Sequence, residues 1–328
     1  MIKIRTVLSI FPRFSRLRAT SFFCVVGFSM ITTVASAQQR LTDNVEIDPA
    51  NAAFVFEDIE HFIEAYDAII SGSDAEEALQ SIYFDSASPG LRMFMEKYDL
   101  GPDRLIKAMA TYPESYQRIP ELLQALKQNA QSFRDTYRDL VDIIPNAVFP
   151  PTYFVVAGHR GIGSGSTEGP LISVEKKLVD TISDLHSTLV HEMIHMQQLA
   201  ATDEAYFEIF SGPGRTLLAL SIREGAATFF AEVIAGGSSH KNQARAYLSA
   251  HESEMWQSFQ REMLGGETGD WLWKKPENPE QPQDMGYAMG ARIVEVYYEN
   301  SKDKGFASSK VMSITDYTAF LEISGYGQ

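Results

Sequence analysis

The sequence predicts an α+β fold that is mostly helical, with a short antiparallel sheet placed after an N-terminal helical region. Three observations carry this expectation. From Asn51 to Ile144 apolar residues recur at helical spacing, as in Ile59, Phe62, Ile63, Tyr66 and Ile70. The texture then changes at "TYFVVAG" and "LISVE", two short runs rich in β-branched and aromatic residues and bounded by Gly and Pro. Beyond about Asp180 helical patterns return and continue to the C-terminus.

Each element has its own signal. Lys3, Arg5, Arg13, Arg16 and Arg18 form a basic leader without an acid, followed by the apolar run "SFFCVVGFSMITTV" and Ala35-Ser36-Ala37. This is the pattern of a signal peptide over residues 1–37, cleaved near Ala37, so the mature chain is expected to be exported, periplasmic or secreted. The apolar run is shorter than the roughly 20 residues a spanning helix needs. No later segment is long and apolar enough, so no membrane span is expected in the mature chain. Removing five of the 28 bases leaves 23 against 43 acids, a net charge of −20. That balance excludes nucleic acid and anionic membrane as expected partners. The single cysteine, Cys24, lies in the leader, so neither thiol catalysis nor a disulfide framework is expected.

Residues 38–145 read as a helical N-terminal region, in which "SGSD" supplies a break and a cap, and "PGLRMFMEKY" and "PDRLIKAMATY" supply later helices. Residues 146–328 read as a second part holding the sheet, with helices after it. Between the two strands lies "HRGIGSGSTEG", expected to be a mobile loop beside a site. Helices are expected over about Asp180–Leu199 and Arg215–Ile234, the second stopped by Gly236-Gly237. Trp271 and Trp273 are expected to anchor a loop dense in Gly and Pro, "GYAMGARIVEVYYEN" is again helical, and Ser313 with Asp316 are candidate caps for a last helix.

The chemistry concentrates in "STLVHEMIHMQQ". His191 and His195 stand four residues apart, so one helix face carries both rings and lets them meet one Zn²⁺ at roughly 2.0–2.1 Å. A catalytic site needs a third protein ligand. Glu224 in "SIREGAATFFAE", 29 residues beyond His195, is the candidate, with Gly225 and Ala226 small enough for close packing of its helix on the first. Glu232, two turns further on nearly the same face, is the alternative, either as the ligand or as a residue orienting one. His186 is expected to pack or cap, and His159, at the glycine-rich loop, is a weaker candidate for touching substrate.

At these residues the sequence resembles the gluzincin metallopeptidases, in which HExxH is completed by a glutamate on a later helix. Within them it is similar to a group of predicted Zn-dependent proteases that combine HExxH, a Glu-Gly pair and a later Gly-Tyr-x-x-Gly, here "HEMIH", "REGAA" and "GYAMG". The resemblance covers roughly Thr152 to Tyr298. It implies a zincin-like catalytic core within 146–328, one Zn²⁺ per chain held by His191, His195 and Glu224, and Glu192 as general base. It also implies Tyr287 as the residue steadying the oxyanion of a tetrahedral intermediate. The substrate would be a peptide or protein, and the strand "LISVE" could pair with its extended backbone. Thermolysin-like enzymes carry an acid four residues after the ligand glutamate, where this chain has Thr228. Two other readings compete: a zinc-binding but catalytically inactive envelope protein acting in assembly or partner binding, and a buried helix without a metal. Substrate identity and oligomeric state have no signal.

Overall fold

A computed structural model describes residues 45–160, 163–175 and 182–328, so the leader expected at 1–37 lies outside the described residues. The chain enters through a 3-10 turn at Pro49–Asn51, capped by the Asp48 carboxylate accepting from the Ala50 amide, and a two-residue strand β1 (Phe54–Val55). Helix α1 (Glu57–Ile70) buries Ile59 and Phe62, with Ile63 and Tyr66 partly buried against the core, while Ile70 at its last position stays in solvent. The Asp74 side chain caps α2 (Ala75–Ala78), as "SGSD" predicts, and a π-helical turn (Leu79–Phe84) follows. Then come α3 (Pro89–Tyr98), α4 (Pro102–Thr111), α5 (Pro113–Gln117) and α6 (Ile119–Ile143), all with a proline in the first turn. There it costs no helical hydrogen bond.

Strands β2 (Thr152–Val155), β3 (Gly163–Gly165) and β4 (Pro170–Ser173) join β1 in one sheet of order β1-β2-β4-β3. The expected antiparallel sheet is corrected here. β1 pairs with β2 and β2 with β4 in parallel, with Phe54 opposite Thr152 and Phe154 opposite Ile172, and only the edge pair β3–β4 is antiparallel. Every residue of β2 and β4 is buried, the mark of strands covered on both faces, and such continuous apolar runs carry no orientation. The strand that reverses the chain between them is Gly-Ser-Gly, inside the stretch expected to be only a loop. β4 is thus an inner strand with both edges paired, so "LISVE" is not the strand available to a substrate backbone. Glu175, at its end, accepts from the amides of Ala157 (2.8 Å) and His159 (2.6 Å), closing the turn after β2.

Helix α7 (Ile182–Thr202) lies against the sheet, followed by α8 (Ala205–Ser211) and α9 (Leu217–Ala235). Thr216 caps α9 and Gly236, at φ 77°, ends it; every residue from Leu217 to Ala231 is buried. A helix apolar on all sides must lie inside the fold, and α9 does so between α7 and α11. Helices α10 (Ser239–Glu262), α11 (Met285–Asn300), α12 (Lys304–Met312) and α13 (Tyr317–Ser324) complete the chain. Asp316 caps α13, whereas Ser313 bonds back to Ser309. Trp271 is buried edge-on to Phe259, but Trp273 is half exposed.

The close approach expected of Gly225 is real, but its partner is α11 and not α7. A Cβ on Gly225 would lie 2.1 Å from the Gly290 carbonyl carbon, and one on Gly290 would lie 1.7 Å from the Ser221 carbonyl oxygen. The glycines of "REGAA" and "GYAMG" are therefore two sides of one backbone contact. One hydrophobic core runs from Ala52 to Tyr326, and Tyr83 of the N-terminal region exchanges hydrogen bonds with both backbone groups of Val156. Among the described residues no helix is long and apolar enough to cross a membrane.

Candidate metal centre

Helix α7 presents His191 and His195 one turn apart, their rings perpendicular with centroids 4.9 Å apart. From α9, Glu224 Oε2 comes within 3.4 Å of His191 Nε2 and 3.3 Å of His195 Nε2. Ligands bound at 2.0–2.1 Å on tetrahedral corners stand about 3.3–3.4 Å from one another, so these two separations are of the size a tetrahedral metal site calls for. Among the described residues this is the one group of His, Cys, Asp or Glu placed to hold a metal ion. Glu232 is elsewhere, paired with Arg245 at 3.2 Å.

Hydrogen bonding sets which ring nitrogen of His195 faces Glu224. Gln198 Nε2 donates to the Arg223 carbonyl (3.1 Å), so its Oε1 must be the atom 2.9 Å from His195 Nδ1. Oε1 can only accept, which places the proton on Nδ1 and leaves Nε2 with a lone pair facing the carboxylate. A lone pair against a buried anion is repulsive; the arrangement calls for a cation between them. Without a metal, a proton serves. Burial lowers the pKa of His195, but Glu224 beside it outweighs this and raises it. Burial would likewise raise Glu224, but His195 and His191 hold its carboxyl well below the usual range. It is a carboxylate, as a ligand must be.

Glu192 is buried, and no hydrogen bond among the described residues engages its carboxylate. It lies against the edge strand, since a Cβ on Gly163 would stand 2.1 Å from its Oε1. Tyr287, on α11, reaches the same site, its ring 6.1 Å from that of His191 and 24° from parallel. Trp273 Nε1 donates to its hydroxyl at 3.0 Å. An indole only donates, so the phenol accepts there and keeps its own hydrogen for another acceptor. Burial pushes the Tyr287 pKa well up, so the hydrogen stays on at neutral pH. Lys241 Nζ sits 3.2 Å from the Tyr287 ring centre and 3.4 Å from Asp284, whose other oxygen accepts from the Trp273 amide.

Sequence reasoning did not single out Gln198, Lys241, Trp273 or Asp284 for this site. "MQQ" after the second histidine is the one local signal. Gln197 pins α7 to the backbone of Val148 by two hydrogen bonds, and Gln198 ties His195 to α9. His186 packs on α6, with Nδ1 2.6 Å from Thr136 Oγ1 and its ring edge-on to Phe133. His159 stacks on Tyr112 with ring centroids 3.7 Å apart. No family model, curated protein or solved structure matches the chain.

Proposed function

We propose that this chain is an exported zinc-dependent metallopeptidase of gluzincin type with a zincin-like core, hydrolysing peptide bonds. The observation that carries the reading is the convergence of His191 Nε2, His195 Nε2 and Glu224 Oε2 at metal-ligand spacing, with the Glu192 carboxylate, unbonded among the described residues, on the same helix as the two histidines. Zn²⁺ held by these three residues supplies Lewis-acid polarisation of a carbonyl and lowers the pKa of a water. Glu192 then takes the water proton and returns it to the leaving amine, a task suited to a carboxylate with no hydrogen-bond partner among the described residues. Tyr287 donates its phenolic hydrogen to the carbonyl oxygen as charge develops there. Gln198 keeps His195 in the tautomer that ligation requires. Export rests on the leader sequence alone.

Metal analysis of the mature protein should find about one zinc per chain, lost in Glu224→Gln and retained in Glu232→Gln. Zinc loss in Glu232→Gln alone would move the third ligand. On a mixed peptide library, Glu192→Gln should cut cleavage at least about 100-fold while zinc stays bound. Zinc binding without cleavage by the wild type would favour the inactive envelope protein. Less than a tenth of an equivalent, unrestored by added metal, would leave only the buried helix.

A further inference from the structure

Arg223 precedes Glu224 on α9 and is only 5 % exposed. Its guanidinium carbon lies 3.6 Å from the ring centre of Tyr206 and 4.2 Å from that of Phe210, both on α8. The rings offset part of its charge but offer no hydrogen-bond acceptor in the plane of the guanidinium. Nε and Nη1 are buried and have no hydrogen-bond partner among the described residues. A buried guanidinium without an anion is costly and rare, because desolvation is not repaid by an ion pair. The hydroxyl of Tyr206 is also buried and unpartnered. Among the described residues nothing receives these three donors, and the guanidinium lies over the ring that carries the hydroxyl.

Their place in the fold connects them to the metal centre. A Cβ on Gly165, at the end of edge strand β3, would stand 3.5 Å from the Tyr206 hydroxyl and 3.7 Å from His195 Cβ. The Tyr206 hydroxyl thus borders β3 on the side of the candidate ligand His195, with Arg223 stacked on its ring, while Gly163 at the other end of β3 borders Glu192.

We infer that Arg223 and Tyr206 form a carboxylate-binding subsite, which selects substrates carrying a carboxylate near the bond to be cut. The chemistry fits: a carboxylate accepts strongly from a guanidinium N–H such as that of Nε or Nη1, and can accept a further bond from a phenol. The carboxylate belongs either to the C-terminus of a peptide or to an acidic side chain. The assignment of substrate class rests on the metallopeptidase reading; the existence of the subsite does not.

The test uses the full mature protein, zinc-loaded and carrying Glu192→Gln to prevent turnover. Titration calorimetry compares three pools of acetylated tetrapeptides. The first has neutral side chains and a free C-terminus, the second is its amide, and the third is the amide with one glutamate. The first or the third should bind about tenfold or more tightly than the second. Preference for the first identifies the terminal carboxylate, and preference for the third identifies the side chain. Arg223→Gln should abolish the preference, and Arg223→Lys, which keeps the charge without the fork, should retain only part of it. If Arg223→Gln does not fold, Tyr206→Phe removes one donor and should reduce the preference on its own. Equal binding of all pools, no binding of any, or a preference that survives Arg223→Gln and Tyr206→Phe overturns the subsite. Cleavage of peptides without acid discrimination removes the subsite alone. Arg223-dependent binding in a protein that cleaves nothing removes the peptidase reading alone.

Discussion

At the scale of single residues the candidate site is decided by hydrogen bonds to its ligands. His195 is held between Gln198, which fixes the proton on Nδ1, and Glu224, which faces Nε2. Replacing Gln198 by Ala frees the ring to rotate and exchange tautomers, so zinc affinity should fall about 10- to 100-fold by competition with a chelator. The helix itself should remain, since no backbone group of α7 depends on that side chain. Unchanged affinity would mean that packing alone orients His195. HExxH spacing makes His191 and His195 legible in sequence, because four residues is one helical turn. Gln198 is not legible, because its importance depends on the carbonyl of Arg223, 25 residues away.

At the scale of elements, glycines carry the arrangement, and they do so by what they leave out. Gly163 lets β3 lie against the Glu192 carboxylate. Gly163→Ala places a methyl where Oε1 now is; the flexible end of Glu192 gives way and the strand does not. The expected result is a loss of about 100-fold in kcat, the scale of a 1 Å misplacement, with circular dichroism and zinc content unchanged. Gly290 is different, because its neighbour is backbone. A Cβ there would meet the Ser221 carbonyl oxygen at 1.7 Å, so α9 and α11 must move apart. Gly290→Ala should destabilise the protein by about 3 kcal/mol in urea unfolding, at the upper end of overpacking costs. It should also reduce cleavage, since α9 carries Glu224 and α11 carries Tyr287. A change below about 0.5 kcal/mol would show that the seam is looser than its distances.

At the scale of the whole molecule, the three candidate ligands span two helices, α7 and α9, that meet only in the folded chain. Metal binding must therefore favour the native state. Zinc at 100 times its dissociation constant should add about 2.7 kcal/mol, and its removal by a chelator should lower Tm by several degrees in a thermal scan. An unchanged Tm with zinc demonstrably removed would detach the cluster from a metal role. The sequence by itself determined what depends on short-range periodicity: the helices α1, α3, α4, α7, α9, α11 and α13 in outline, the strands β2 and β4, the caps at Asp74 and Asp316, and the pairing of His191 with His195 on one face. It also singled out Glu224 with its small neighbours Gly225 and Ala226, whereas Tyr287 came only as an implication of the family resemblance. Tertiary structure alone decided the rest. Parallel pairing of β2 with β4 follows from an inserted Gly-Ser-Gly strand that has no propensity of its own. The choice of Glu224 over Glu232 as neighbour of the histidines follows from how α9 lies across α7. The unpartnered donors of Arg223 emerge only once α8 folds over them. The physical reason is common to all three: spacing along a chain reports which residues share a face, and only packing reports what that face meets.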